Sequence, residues 1–243
     1  MRLCQLVWHV LRGAYTVRTC FAKMTPAQRE QMVQDWAQGF LARAGIALRT
    51  EGTVPTHGPL LLVANHQSWL DIPVVHAGRA CRFVSKAEIA RWPIVGGLAA
   101  AAGTLFIQRG ARRDTQRIVQ AMVQALQAGD MVAVFPEGTV GNGRALLAFH
   151  GNTLQAAIDA DVAVQPVALT FLDASGQASC LPCEAYLDEP IQRSLWRTLQ
   201  AQGLVAVLHY GSPEKAQGRD RRAWARDLQQ RVQALRDASL TSS

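Results

Sequence analysis

The stretch "LLLVANHQSWLDIPVV", residues 60–75, begins as an unbroken apolar run and breaks at Asn65-His66. A short Leu- and Val-rich run closed by polar residues reads as a strand buried on both faces. Strands of that kind sit in sheets covered by helices, and ligands of such sheets lie beyond the carboxyl ends of the strands. His66 stands at such an end, and Asp71 follows five positions later. Five residues turn a helix about 140° past one full revolution, so the two cannot share a helical face. If His66 precedes the helix, Asp71 in the first turn can reach back to it. Two readings then stand side by side. His66 is a general base whose tautomer Asp71 fixes, or Ser68-x-x-Asp71 is a capping box at an ordinary turn.

Beyond residue 75 strand and helix signals alternate. "CRFVSK" (81–86), "TLFIQR" (104–109), "MVAVFPEG" (131–138), "VAVQPVALTF" (162–171) and "LVAVLHY" (204–210) read as strands. Between them, 114–129 has a helical stripe of Ile118, Met122, Ala125 and Leu126 closed by Gly129. Further helices are expected at 151–160 and around "SLWRTLQ". The last, about 219–238, places Trp224, Leu228, Val232 and Leu235 on one face, with Arg221, Arg222, Arg226, Arg231 and Arg236 as a solvated basic surface. The expected fold is α/β, a mostly parallel or mixed sheet covered by helices, spanning residues 46–243.

Residues 1–45 have a different character. Thr25-Pro26-Ala-Gln28 carries a cap, a proline at the first helical position and a capping box, and Gly45 ends that helix. Ahead of it, Leu3, Leu6, Val7, Val10, Leu11 and Tyr15 form one side of a helix, but Gln5, His9, Arg12 and Arg18 interrupt it. Too polar to span a bilayer and without a signal-peptide cleavage site, this helical hairpin either lies in a membrane interface or docks on the protein's own core.

Composition sets bounds on the partner. Of 243 residues, 25 are Lys or Arg and 18 are Asp or Glu, a formal charge of +7 that favours an anionic partner. Membrane headgroups, a phosphorylated substrate, an acidic carrier protein and nucleic acid all fit that charge. The arginines are scattered and no nucleic-acid-binding motif is present, which argues against the last. Five cysteines at 4, 20, 81, 180 and 183 include a lone Cys180-Leu-Pro-Cys183 with nothing to complete a zinc site, so no metal is expected and a reduced, cytosol-facing compartment fits. G-x-S-x-G, H-E-x-x-H and P-loop motifs are absent, which removes the common hydrolase chemistries.

Three other strand ends carry polar groups. Arg109 ends "GTLFIQR", a cation suited to bidentate phosphate contact. Lys86 ends "RFVSK". Glu137, Gly138 and Thr139 end the fourth strand, with Gly141 and Gly143 in a loop whose amides could face an anion. In order, N-H-x-S-x-x-D, G-x-x-F-I-x-R, F-P-E-G-T and V-x-P-V resemble the four blocks of the glycerolipid (lysophospholipid) acyltransferase superfamily, most closely its bacterial 1-acylglycerol-3-phosphate O-acyltransferase members. The resemblance implies His66 as catalytic base, Asp71 as its partner, Arg109 and Lys86 as acceptor-phosphate contacts, and Glu137, Gly138 and Thr139 as acceptor-holding residues. It also implies a membrane-associating hairpin at 1–45 and a peripheral or monotopic place on the cytoplasmic face of the inner membrane. The co-substrate would be acyl-CoA or an acyl carrier protein thioester, with no other cofactor, and 1-acylglycerol-3-phosphate would yield phosphatidic acid.

One block departs from the pattern. After F-P-E-G-T, many members of the superfamily carry a polar or basic residue and then serine, whereas here Val140 and Gly141 follow and the nearest arginine is Arg144. An acceptor without a terminal phosphate, or a lyso-aminolipid such as lyso-ornithine lipid, is the alternative this opens. A basic membrane-binding relative without catalysis is the rival class, against which both His66 and Asp71 speak. Direct attack by the acceptor, with no acyl-enzyme on Ser68 or Cys81, is expected because a thioester is already activated.

Overall fold

A computed structural model describes residues 2–108, 112–182 and 191–241. Helices α1 (Arg2–Thr19) and α2 (Pro26–Ala44) precede strands β1 (Ile46–Gly52), β2 (Leu60–Ala64), β3 (Arg82–Lys86), β4 (Leu105–Ile107), β5 (Met131–Val134), β6 (Val164–Leu172) and β7 (Leu204–Tyr210). Between and after them run α3 (Asp71–Gly78), α4 (Val95–Ala101), α5 (Arg112–Gln127), α6 (Gln155–Asp159), α7 (Ile191–Gln200) and α8 (Arg221–Thr241). The strands form one sheet in the order β1-β7-β6-β2-β5-β3-β4. Every pairing is parallel except β6 with β7. The sheet is therefore mixed, and β6, β2, β5, β3 and β4 all end on the same edge.

Period-2 alternation divides the core into two layers. Leu60, Leu62 and Ala64 of β2, with Met131 and Ala133 of β5, face a cluster that includes Phe40, Leu41, Leu70 and Val74 from α2 and the α3 region. Leu61, Val63, Val132 and Val134 face the other side, where α5 supplies Ile118, Met122, Ala125 and Leu126 and α8 supplies Trp224, Leu228 and Val232. The expected stripes of α5 and α8 are the buried ones. Arg236 departs from the expected solvated surface: it is buried, and its guanidinium donates to the Gly143 carbonyl.

Several boundaries differ from the sequence expectation. The expected strand at 131–138 stops at Val134, since Pro136 cannot donate to a ladder. The helix expected over 151–160 is shortened to α6, because the residues ahead of it close i+3 turns: Leu154 N–H donates to the Gly151 carbonyl and Ala156 N–H to the Thr153 carbonyl. Strand β1 has no sequence signature of a buried strand. It is an edge strand, half-buried at Arg49 and Glu51 and exposed at Thr50, and among the described residues it pairs with β7 alone.

The capping box of α2 forms as read, with Gln28 N–H donating to Thr25 Oγ1 and Thr25 N–H to Gln28 Oε1, and Gly45 closes the helix at φ 78°. Helix α1 splits its apolar residues between two environments. Leu6 and Gly13 are buried and Val10 is partly so, while Leu3, Val7, Trp8, Leu11 and Tyr15 are exposed. Gly13 admits the Trp36 indole, whose Nε1 would lie 2.3 Å from an added Cβ. Docking on the core and an outward apolar face are thus both present in one helix. Among the described residues, no helix is long and apolar enough to cross a membrane.

Candidate active site

The main chain leaves the sheet at Asn65, and side chains take over the pairing it gives up. Asn65 Nδ2 donates to the Leu169 carbonyl (2.9 Å) while Oδ1 accepts from the Leu169 N–H (2.7 Å). Gln67 Nε2 donates to the same carbonyl at 2.7 Å. Held in this way, residues 66–70 turn sharply and α3 begins at Asp71.

The Asp71 carboxylate is wholly buried beneath that turn. Its Oδ2 accepts from Gln67 N–H (2.6 Å) and Ser68 N–H (2.9 Å) and lies 2.7 Å from His66 Nδ1. A carboxylate only accepts, so Nδ1 carries the hydrogen and the lone pair falls on Nε2. Ser68 Oγ meanwhile accepts from Leu70 N–H, not from Asp71. The reciprocal capping box is therefore not formed; Asp71 pins the turn and orients the imidazole at once. The two sequence readings of this turn meet in one side chain.

A second carboxylate arrives from the end of β5. Glu137 Oε1 accepts the His66 main-chain N–H at 2.7 Å and Oε2 accepts the Leu147 N–H at 2.8 Å. Burial raises its pKa, and those two donors pull the other way. Gly141 N–H donates to the His66 carbonyl at 2.8 Å, so the loop after β5 grips both sides of the histidine's main chain. The ring itself lies flat on Phe135, with centroids 4.1 Å apart and planes 6° from parallel. Phe135 stacks in turn on Phe83, and Phe83 meets the edge of His76. His76 is buried, its pKa lowered by desolvation to about 4.

His66 opens into an apolar cleft of about 1580 Å³ running between the α1–α2 pair and the segment around α4. Phe135, Gly138, Thr139 and Val140 form its wall next to the histidine, and Lys86 lines it from the end of β3. Gly138, at φ 70°, adopts the left-handed backbone that favours glycine. Exposed Trp92 and Val95 stand at the cleft, and α1 with its outward Trp8, Leu11 and Tyr15 packs against α4.

Of the residues expected to act together, the structure gathers His66, Lys86, Gly138 and Thr139 around this cleft, with Asp71 buried behind His66. Glu137 lies behind the cleft, with both oxygens engaged by main-chain amides, so its partners are the His66 turn and the loop at Leu147. Arg144 is exposed in the loop beyond, its N–H donating to Asn142 Oδ1. Arg109 and Cys183 lie outside the described residues. Cys81 is buried just ahead of β3 and its burial raises the thiol pKa far above the usual range. Among the described residues, no three His, Cys, Asp or Glu side chains assemble as a metal site needs. Asn65 and Phe135 stand inside the quoted motifs and Gln67 between two motif residues, but none was given a role from sequence, because the partner of each lies far along the chain.

The family model described as Acyltransferase matches residues 45–170. A lyso-ornithine lipid O-acyltransferase from Pseudomonas aeruginosa is 37% identical over 211 residues, covering 87% of this chain and 80% of that protein. A 1-acyl-sn-glycerol-3-phosphate acyltransferase from Neisseria meningitidis serogroup B is 33% identical over 236 residues, covering 96% and 91%. The crystal structure of the 1-acyl-sn-glycerophosphate (LPA) acyltransferase PlsC from Thermotoga maritima superposes with a TM-score of 0.66 at 18% identity, over 98% of each chain. That last likeness is one of fold.

Proposed function

Since the chain belongs to the acyltransferase family, we propose that it moves a fatty acyl group from a thioester to the free hydroxyl of a lysophospholipid, with 1-acylglycerol-3-phosphate as acceptor and phosphatidic acid as product. The observation that carries this reading is the imidazole whose Nδ1 is held by buried Asp71, leaving Nε2 to an apolar cleft wide enough for acyl chains. Nε2 takes the hydroxyl proton as the alcohol oxygen attacks the thioester carbonyl carbon. The tetrahedral intermediate collapses with cleavage of the C–S bond, and the departing sulfur takes the proton back from the imidazolium. Asp71 stabilises that imidazolium while it exists. No acyl-enzyme is formed.

Lys86 and Arg109 are assigned to the acceptor's phosphate, Lys86 on its place in the cleft wall and Arg109 on its motif alone. The exposed apolar side chains of α1 and of Trp92–Val95 suit a membrane interface, so residues 1–45 serve as the membrane-associating unit, on the cytoplasmic face of the inner membrane, and 46–243 as the acyltransferase domain. Acyl-CoA or acyl carrier protein supplies the thioester.

A second reading, a lyso-aminolipid acceptor such as lyso-ornithine lipid, is favoured by Val140. This residue is buried against the cleft wall at a position where a polar or basic side chain is common in the superfamily. Incubating the purified protein with labelled acyl thioester and a panel of lysolipids tests both. Lysophosphatidate as the best acceptor supports the first, lyso-ornithine lipid the second, and no acylated lipid from any acceptor rejects the function. Arg109→Ala should raise the acceptor KM; an unchanged acceptor KM with weakened donor use would reject its assignment.

A further inference from the structure

The face of the sheet opposite α1 and α2 carries an open polar groove that the reaction described above does not use. It runs between α5, α6 and the start of α8, about 860 Å³, with Arg117, Gln120, Gln124, Asn152, Gln155 and Arg221 along it. A smaller hollow of about 380 Å³ continues it past His150 and Asn152 to Arg222 and Arg226. His150 and Asn152 also line the catalytic cleft, so the two spaces share a wall. That wall is fixed close to the chemistry. His150 N–H donates to the Pro136 carbonyl at 2.9 Å, and the His150 ring lies beside Gly138.

The arginines at the start of α8 differ from those on either side of them. Arg219 pairs with Glu214 and Asp227, and Arg231 pairs with Glu214, whereas Arg221, Arg222 and Arg226 make no ion pair among the described residues. Asp220 stands beside Arg222 and Arg226, but its carboxylate caps α8 by accepting from the N–H groups of Arg222 and Ala223. Asp159 is the carboxylate lining the wider groove, and it accepts from Gln155. Arg117, also on the groove, lies 3.6 Å from Asp114. Arg222 and Arg226 are exposed and Arg221 half-buried, so the balance is positive and spread over the junction of three helices.

Resting on the thioester-donor reading above, we propose that this basic groove is the docking surface for an acidic protein that carries the acyl group on a flexible arm, which enters the cleft past His150 and Asn152. Two features favour a protein over a nucleotide-bearing small donor. A nucleotide calls for an enclosed pocket with apolar or aromatic walls, and these walls are chiefly Gln, Asn and Arg. Spread, exposed arginines suit transient, salt-sensitive recognition of an acidic surface, in which charge sets the encounter rate. The location agrees: the groove lies on the sheet face away from the exposed apolar side of α1, where a water-soluble carrier can approach an enzyme resting on a bilayer.

The test uses the full chain and the variant Arg221→Glu/Arg222→Glu/Arg226→Glu, with one acyl chain presented on acidic acyl carrier protein, on CoA and on pantetheine alone. The variant should lose about tenfold or more in kcat/KM for the carrier-protein donor, with the salt dependence of that rate flattened. Its rate with acyl-pantetheine should stay that of the wild type, which also shows that the variant folds. An unchanged rate with the carrier-protein donor, or an equal loss with acyl-CoA, would overturn the proposal. Titration of the wild type with unacylated carrier protein reads the interaction without turnover. Binding that the variant abolishes upholds the surface even if no lysolipid is acylated, while absence of binding by the wild type overturns it even if acyl-CoA is a good donor.

Discussion

The turn after β2 and the turn after β5 each bring a buried carboxylate to His66, but to different atoms. Asp71 meets the imidazole ring; Glu137 meets the main-chain N–H of the same residue. In the proposed reaction the first contact bears on the proton that moves, and the second on where the ring stands. Both carboxylates also accept further main-chain amides, so each stiffens the turn that it serves. What separates them is the atom held: charge next to the reacting nitrogen changes the chemistry, while charge on the main chain changes only the geometry.

Substitutions separate the two roles, and the largest effect belongs to the ring itself. His66→Ala should lower kcat by about 10³-fold or more, at the upper part of the range for general acid–base catalysis, with the melting temperature kept. Full activity in a correctly folded variant would remove the base from the mechanism. Asp71→Asn comes next, at about 10²-fold in kcat. From sequence alone, this change is expected to unlock the tautomer. With Oδ2 facing two N–H groups and Nδ1–H, the asparagine oxygen takes that place and the tautomer survives. The loss is then that of the negative charge opposite the imidazolium. The shape of the pH–rate profile should change accordingly.

Glu137→Gln should lower kcat about tenfold and leave the shape of the profile alone. A glutamine has one oxygen for two N–H donors, so one amide loses its acceptor, at about 1–3 kcal/mol of stability by urea unfolding. If Asp71→Asn and Glu137→Gln altered the profile in the same way, the division between charge and geometry would fail. Phe135→Leu keeps an apolar floor beneath the ring but removes the flat stack, and should cost only a few-fold in kcat with little change in KM.

The smallest effect is confined to acid. His76 has a folded-state pKa of about 4 against an ordinary value near 6.5. The unfolded chain therefore binds a proton that the folded chain refuses between those values. Stability from this group is present above about pH 6.5 and declines as the pH falls toward 4. His76→Leu should flatten the fall of the melting temperature over that window, and an identical slope in both proteins would show that other groups govern it.

The same contrast explains what the sequence disclosed. Asp71 lies five residues from His66, close enough for spacing along the chain to suggest the pair. The Glu137 contact spans 71 positions and exists only because β2 and β5 are neighbours in the sheet. A glutamate in F-P-E-G-T signals a site but not which atoms it serves. Buried strands and the stripes of α5 and α8 were legible because burial imposes a period. Strand β1 was not, because an edge strand with one neighbour needs no apolar run. Helix α4, "VGGLAAA", was hidden by Gly96, which lets the helix pack against the Ala90 carbonyl and weakens the helical signal.

Leu169 lies well inside β6, yet its amide hydrogen is held by the Asn65 side chain across 104 positions of sequence. Solvent exchange of that hydrogen therefore times the breathing of the His66 turn, separately from unfolding of the sheet. An isotope label at this buried amide would record how often His66 lets go of its place. Substrates that steady the turn should slow that clock, even though none of them touches Leu169.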